Sequence, residues 1–153
     1  MEIINGIDKI KLKSSVITMG SYDGIHRGHF QILNKVNSIS NQLNISSVVI
    51  TFDPHPGNLI GKPKEKVKLL MSLEKKIELI KSFSIDYLVI LKFDTNLMNM
   101  DAKVFLKKIL IKNFNPECIV SGKNHTFGHN RSGDIEYLKK FCMANNIALE
   151  VVK

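Results

Sequence analysis

The fold is decided by Ser14-Ser-Val-Ile-Thr-Met-Gly-Ser-Tyr-Asp-Gly-Ile-His-Arg-Gly-His29. The stretch opens as a short apolar run, Val16 to Met19, of strand type. Glycine then interrupts it at Gly20, Gly24 and Gly28. Beyond the turn, Ile32, Val36, Ile39 and Leu43 recur at steps of four, three and four, the period of a helix with one apolar face. The prediction is strand, glycine-rich turn, helix. Such a junction is a cradle for phosphate: glycine lets backbone approach closely, and the free N–H groups of a helix start favour an anion. His26 and His29 stand three apart there and share a face if the helix has begun. Two imidazoles beside a phosphate cradle suit charge developing on a phosphoryl group. The blander alternative is a structural turn with two exposed histidines. Zinc is disfavoured, because no third ligand stands at a suitable spacing. The glycines do not follow the dinucleotide pattern G-x-G-x-x-G.

Working outward, Ser47 to Phe52 is a β-branched run of buried-strand type that ends abruptly at Asp53-Pro-His-Pro-Gly57. Strand, helix, strand in this length is a βαβ unit, so both strands run parallel and their C-terminal loops lie side by side. Ligands of open α/β sheets bind at that edge. Residues 57–71, with Gly57, Gly61, Pro63 and several lysines, read as a loop or flap. Ser72 caps a helix whose apolar stripe is Leu73, Ile77 and Ile80, with Lys75, Lys76 and Lys81 on its solvated side. Tyr87 to Leu91 is the third strand. Asp101 caps a further helix, with Phe105, Leu106, Ile109 and Leu110 inward. Cys118 to Ser121 is the fourth strand and Ala148 to Val152 the fifth. Between them a loop from Gly122 to Gly133 leads to a helix opened by Asp134, with Ile135, Leu138, Phe141 and Cys142 inward. The expectation is an α/β fold: a five-stranded parallel sheet, ordered third, second, first, fourth, fifth, with helices on both faces. Ile3, Ile4 and Ile7 could add a small edge element.

Composition narrows the function. The chain has 153 residues, 44% hydrophobic and 24% charged, which is one domain of ordinary globular type. No apolar run reaches the length of a membrane span, and Met-Glu-Ile-Ile-Asn is no signal peptide. Cys118 and Cys142 form no framework, as expected of reduced thiols in a cytoplasmic protein. The net charge of +8 favours anionic partners, either nucleic acid or nucleotide phosphate. The basic residues are spread out and no base-stacking aromatic motif accompanies them, so nucleic acid is not expected. Both arginines, Arg27 and Arg131, fall in the Gly/His segments, where planar bidentate donors suit phosphate; two chance survivors of a lysine-rich composition would look the same.

Gly20-Ser-Tyr-Asp-Gly-Ile-His-Arg-Gly-His29 resembles the G-x-F-D-G-x-H-x-G-H signature of the bacterial FAD synthetase domain, the FMN adenylyltransferase half of bifunctional riboflavin kinase/FAD synthetases. Tyr22 replaces the usual Phe. Phe52-Asp-Pro-His-Pro56 is similar to a second motif of that family, and Gly122-Lys-Asn-His-Thr-Phe-Gly to Gly133 to a third, with His125 in place of a Phe. Within the wider superfamily the shorter His-x-Gly-His core also serves other adenylyl- and cytidylyltransferases.

The resemblance implies a Rossmann-like nucleotidyltransferase fold over residues 1–153 and adenylyl transfer from ATP to FMN, giving FAD and pyrophosphate. It implies His26 and His29 as catalytic residues. Gly20, Ser21, Tyr22, Asp23, Gly28, Asn124 and Arg131 would hold ATP, and Phe52, Asp53, Pro54, His55 and Pro56 would border the flavin. Magnesium would arrive on the nucleotide phosphates, with no metal bound by the protein alone. His125 and His129 read as loop histidines. The family's Ser-Ser-Thr-x-Ile-Arg segment and its riboflavin kinase domain lie beyond the fifth strand and are not in this sequence. A truncated domain is therefore expected, with weak flavin and ATP binding and FAD synthesis slowed by ~10⁴-fold. The alternatives are a transferase for a different acceptor phosphate, or a non-catalytic flavin- or nucleotide-binding module.

Overall fold

A computed structural model of the chain describes residues 1–60 and 68–153. It contains a parallel sheet of six strands, β1 (Glu2–Asn5), β2 (Ser15–Met19), β3 (Ser46–Asp53), β4 (Tyr87–Lys92), β5 (Pro116–Gly122) and β6 (Ala148–Val152), ordered β1-β4-β3-β2-β5-β6. The five expected strands keep their expected order. The correction is the sixth: β1 pairs with β4 in parallel at the edge, Ile3 opposite Leu88 and Ile4 opposite Val89. Four residues are too few to show a period, so sequence alone offers only a hint of an edge element there.

The central strands are apolar on both faces because helices cover both. On one side α1 (Arg27–Leu43) and α3 (Leu73–Lys81) bury Leu33, Val36 and Ile80 against Val16, Val49 and Leu88. On the other, Ile17, Val48, Val89 and Ile119 meet Phe105, Leu106, Leu110 and Leu138. Those come from α5 (Ala102–Phe105), a π-helical stretch (Leu106–Ile111) and α7 (Ile135–Ala144), and α6 (Lys112–Phe114) adds Phe114. Each buried side chain of this size contributes about 1.5–3 kcal/mol. The predicted caps are present: the side chains of Ser72, Asp101 and Asp134 accept from Lys75, Lys103 and Tyr137 N–H.

Two short helices were not expected, α2 (Gly57–Ile60) and α4 (Thr95–Met98); one turn is too short to carry a stripe. The loop expected over 57–71 thus begins helically, and its residues 61–67 lie outside the described residues. A second correction concerns Lys76. It is 6% exposed, not solvated. Among the described residues, no helix is long and apolar enough to cross a membrane.

Candidate active site

Three loops leave the C-terminal ends of β3, β2 and β5, which are neighbours in that order. The middle loop is the glycine turn. Gly20 N–H still donates to Ile50 O at 3.0 Å, and the chain then turns through Tyr22 and Gly24, both at positive φ. Tyr22 is buried, and its hydroxyl lies 2.8 Å from Thr18 Oγ1. Its side chain is therefore core, and Tyr22 can meet a ligand only through its backbone.

Helix α1 begins at Arg27, one residue later than a shared helical face for both histidines requires. His26 is the cap, and its Nδ1 accepts from Gly28 N–H at 3.2 Å. With Nδ1 an acceptor, the neutral ring carries its proton on Nε2. A Cβ on residue 28 would stand 3.2 Å from His26 Cε1, so glycine makes room for the folded-back ring. This fold brings the histidines together after all: their rings stack, centroids 3.9 Å apart, with Tyr22 5.0 Å behind His29. His26 is exposed and His29 half-buried.

The β3 loop repeats the device. His55 Nδ1 accepts from Gly57 N–H at 3.0 Å, ahead of the short helix α2. His26-Arg-Gly28 and His55-Pro-Gly57 are thus the same cap on adjacent strands, each with Nε2 left to donate. Phe52 is half-buried, edge-on to Phe93 at 5.9 Å, while Asp53 and Pro54 are exposed.

Asp23 does something the sequence did not suggest. Its carboxylate accepts from Leu70 N–H (3.0 and 3.2 Å) and Met71 N–H (3.2 Å), tying the strap before α3 to the glycine turn. Leu70 then lies over Gly24, where a Cβ would come within 2.5 Å of Leu70 Cδ1. Lys76 is the other residue missed. Its Nζ donates to Thr51 Oγ1 at 3.4 Å. A signal did exist: Leu73, Lys76, Ile77 and Ile80 together complete the i, i+3, i+4, i+7 pattern of an inward face.

In the third loop Asn124 and Arg131 are exposed, and the loop closes on itself through Phe127 and Gly133, which exchange backbone hydrogen bonds of 2.9 Å. His125 stacks on Phe127 at 5.7 Å, as the Phe it replaces could, but its Nε2 is buried without a partner. His129 packs elsewhere, with Nδ1 3.3 Å from Met98 O.

Burial, and then the neighbouring His26, hold His29 below the usual imidazole pKa, while the Gly24 backbone acts the other way. Burial also lowers His55; Asp23 opposes this and Lys76 adds to it. Burial alone takes His125 down to about 4. His29 and His55 are thus biased toward the neutral imidazole, which can donate a hydrogen bond, and His29 lies in the first turn of α1, at the positive end of that helix.

A family model described as FAD synthetase matches residues 8–153. The chain belongs to the FAD synthetase family. Within that family it is 34% identical, over 92% of its length, to the bifunctional riboflavin kinase/FMN adenylyltransferase of Buchnera aphidicola subsp. Schizaphis graminum (strain Sg). It spans 45% of that relative. The fold is shared with a Streptococcus pneumoniae structure described as a macrolide-efflux protein (TM-score 0.83, 24% identity, covering 98% of this chain and 49% of that one). It is shared more distantly with the pantothenate synthetase of Thermus thermophilus (TM-score 0.57, 14% identity, 99% and 60% covered). The glycine turn, proline loop and third loop described above all fall inside the stretch that matches the FAD synthetase family.

Proposed function

We propose that this chain binds ATP and FMN at the convergence of the three loops and transfers the adenylyl group to FMN. The stacked pair His26 and His29, at the N-terminus of a 17-residue helix, carries this reading. An oxygen of the FMN phosphate attacks the α-phosphorus of ATP. The bond from that phosphorus to the bridging oxygen breaks, and pyrophosphate leaves with the electron pair. The acceptor phosphate is itself the nucleophile, so the protein supplies alignment and charge stabilisation rather than a covalent intermediate.

His26 donates from Nε2 to the triphosphate, and His29 supports charge on the α-phosphate and the leaving group. Gly20, Ser21, Tyr22 and Gly28 shape the backbone cradle, and Asp23 anchors the strap beside it. Asn124 and Arg131 reach in from the third loop. Phe52, Asp53, Pro54, His55 and Pro56 border the isoalloxazine. Among the described residues no three His, Cys, Asp or Glu side chains gather into a metal cage. Magnesium would arrive on the nucleotide phosphates and neutralise their charge there.

The test is FAD formation from FMN, ATP and Mg²⁺, read by chromatography against a His26→Ala/His29→Ala control, with FMN fluorescence quenching alongside. Saturable quenching that duplex DNA does not reverse, and FAD that forms only with the histidines present, support the proposal. No FMN binding, or tight DNA binding instead, overturns it.

A further inference from the structure

Lys76 is the only buried lysine among the described residues, and nothing in the proposed chemistry uses it. An ammonium ion removed from water needs a reason, because burial favours the neutral amine unless charge partners hold it. Its surroundings supply one. Lys76 Nζ donates to Thr51 Oγ1 at 3.4 Å, and the Thr51 hydroxyl donates onward to Ser21 O at 3.2 Å. This relay runs from α3, through β3, to the glycine turn. A second tether returns: Asp23, two residues after Ser21, holds the N–H groups of Leu70 and Met71, just before the Ser72 cap of α3. The two tethers close a ring around the strand ends.

The charges agree with the ring. Burial lowers the Lys76 pKa, and the carboxylates of Asp23 and Asp53 pull it back up. Two carboxylates at a site for phosphate anions would repel the substrates; a buried cation between the loops offsets them.

We propose that Lys76 is a positioning residue, whose buried ammonium, relayed through Thr51 to Ser21, fixes the glycine turn, the end of β3 and the strap in one geometry. The substrates this geometry serves rest on the adenylyl-transfer reading; the tethering does not.

His55 is the reporter, since it feels Lys76 directly. The test compares wild type, Lys76→Met and Lys76→Arg by NMR titration of His55 and by amide exchange at Leu70 and Met71. In Lys76→Met the His55 pKa rises and exchange at both amides quickens by about tenfold or more, as a local tether is lost. Lys76→Arg keeps the charge and restores the His55 value. FAD formation in Lys76→Met loses about tenfold or more in kcat, with a smaller change in KM for FMN, as for misplaced groups. Thr51→Val cuts the relay but keeps the cation; it quickens exchange and leaves His55 unmoved, and it decides the matter if Lys76→Met does not fold. Unchanged exchange in Thr51→Val, or an unmoved His55 in folded Lys76→Met, overturns the proposal. If wild type makes no FAD, the adenylyl-transfer reading fails, and the titration and exchange still decide the role of Lys76.

Discussion

The imidazoles of His26 and His29 stack with centroids 3.9 Å apart and planes 24° apart, one ring capping helix α1 and the other rising from its first turn. At that distance a proton on one ring opposes a proton on the other. This opposition adds to burial in holding His29 below the usual imidazole pKa.

Replacing His29 with Ala removes the partly buried member of the pair. In a version as long as the relatives it matches, FAD formation should fall by about 100-fold or more in kcat, the usual cost of one transition-state donor. Binding of FMN should change little, because the loop proposed to border the flavin follows β3. Steady-state rates with saturating ATP measure this; an unchanged kcat would leave the pair a structural role.

Gly28→Ala tests the cap without touching either imidazole. The new Cβ would sit 3.2 Å from His26 Cε1 and 3.3 Å from its Nδ1, so the exposed ring must give by a few tenths of an ångström. Because misplacement by 1 Å costs on the order of 100-fold, this smaller shift should lower FAD formation by about tenfold or less. Urea unfolding should report a far smaller loss of stability, since His26 is exposed.

Tyr22→Phe removes the hydroxyl that meets Thr18 Oγ1 at 2.8 Å inside the core. The Thr18 hydroxyl is then buried alone, at a cost of about 1–3 kcal/mol. Thr18→Val in the same chain should return most of that loss, because both partners are then apolar. A double-mutant cycle by urea denaturation gives the coupling directly.

His125 makes stability depend on pH. Its folded-state value of about 4 lies below the 6.5 of an open chain, so the unfolded state binds the proton first. Stability is fully present above pH 6.5 and is lost as pH falls toward 4, by up to about 3 kcal/mol from this group. His29 and His55 are also lowered and add to the slope in the same direction. His125→Phe should flatten the profile between about pH 7 and 4 and also gain at neutral pH, by removing a buried Nε2 that has no partner. Chemical denaturation at both ends of the range checks the sign.

The sequence by itself determined the βαβ core, five strands in their order, and the placing of three loops at one sheet edge. Those features follow from local period, from caps such as Ser72, Asp101 and Asp134, and from the parallel pairing that short strand–helix–strand spacing forces. It also placed both histidines, and the glycine that admits a folded ring, within Gly20 to His29. The tertiary structure alone decided how those groups are held. Stacking of His26 on His29 depends on a cap that begins the helix one residue late. The hold of Asp23 on Leu70 and Met71 spans 47 and 48 residues, and the contact of Lys76 with Thr51 spans 25. Lys76, in α3, likewise meets its hydroxyl partner in β3 only in the folded chain. No window of sequence contains both members of such pairs, and charge in a protein answers to what surrounds it in space, so their roles became visible only once the sheet had brought the loops together.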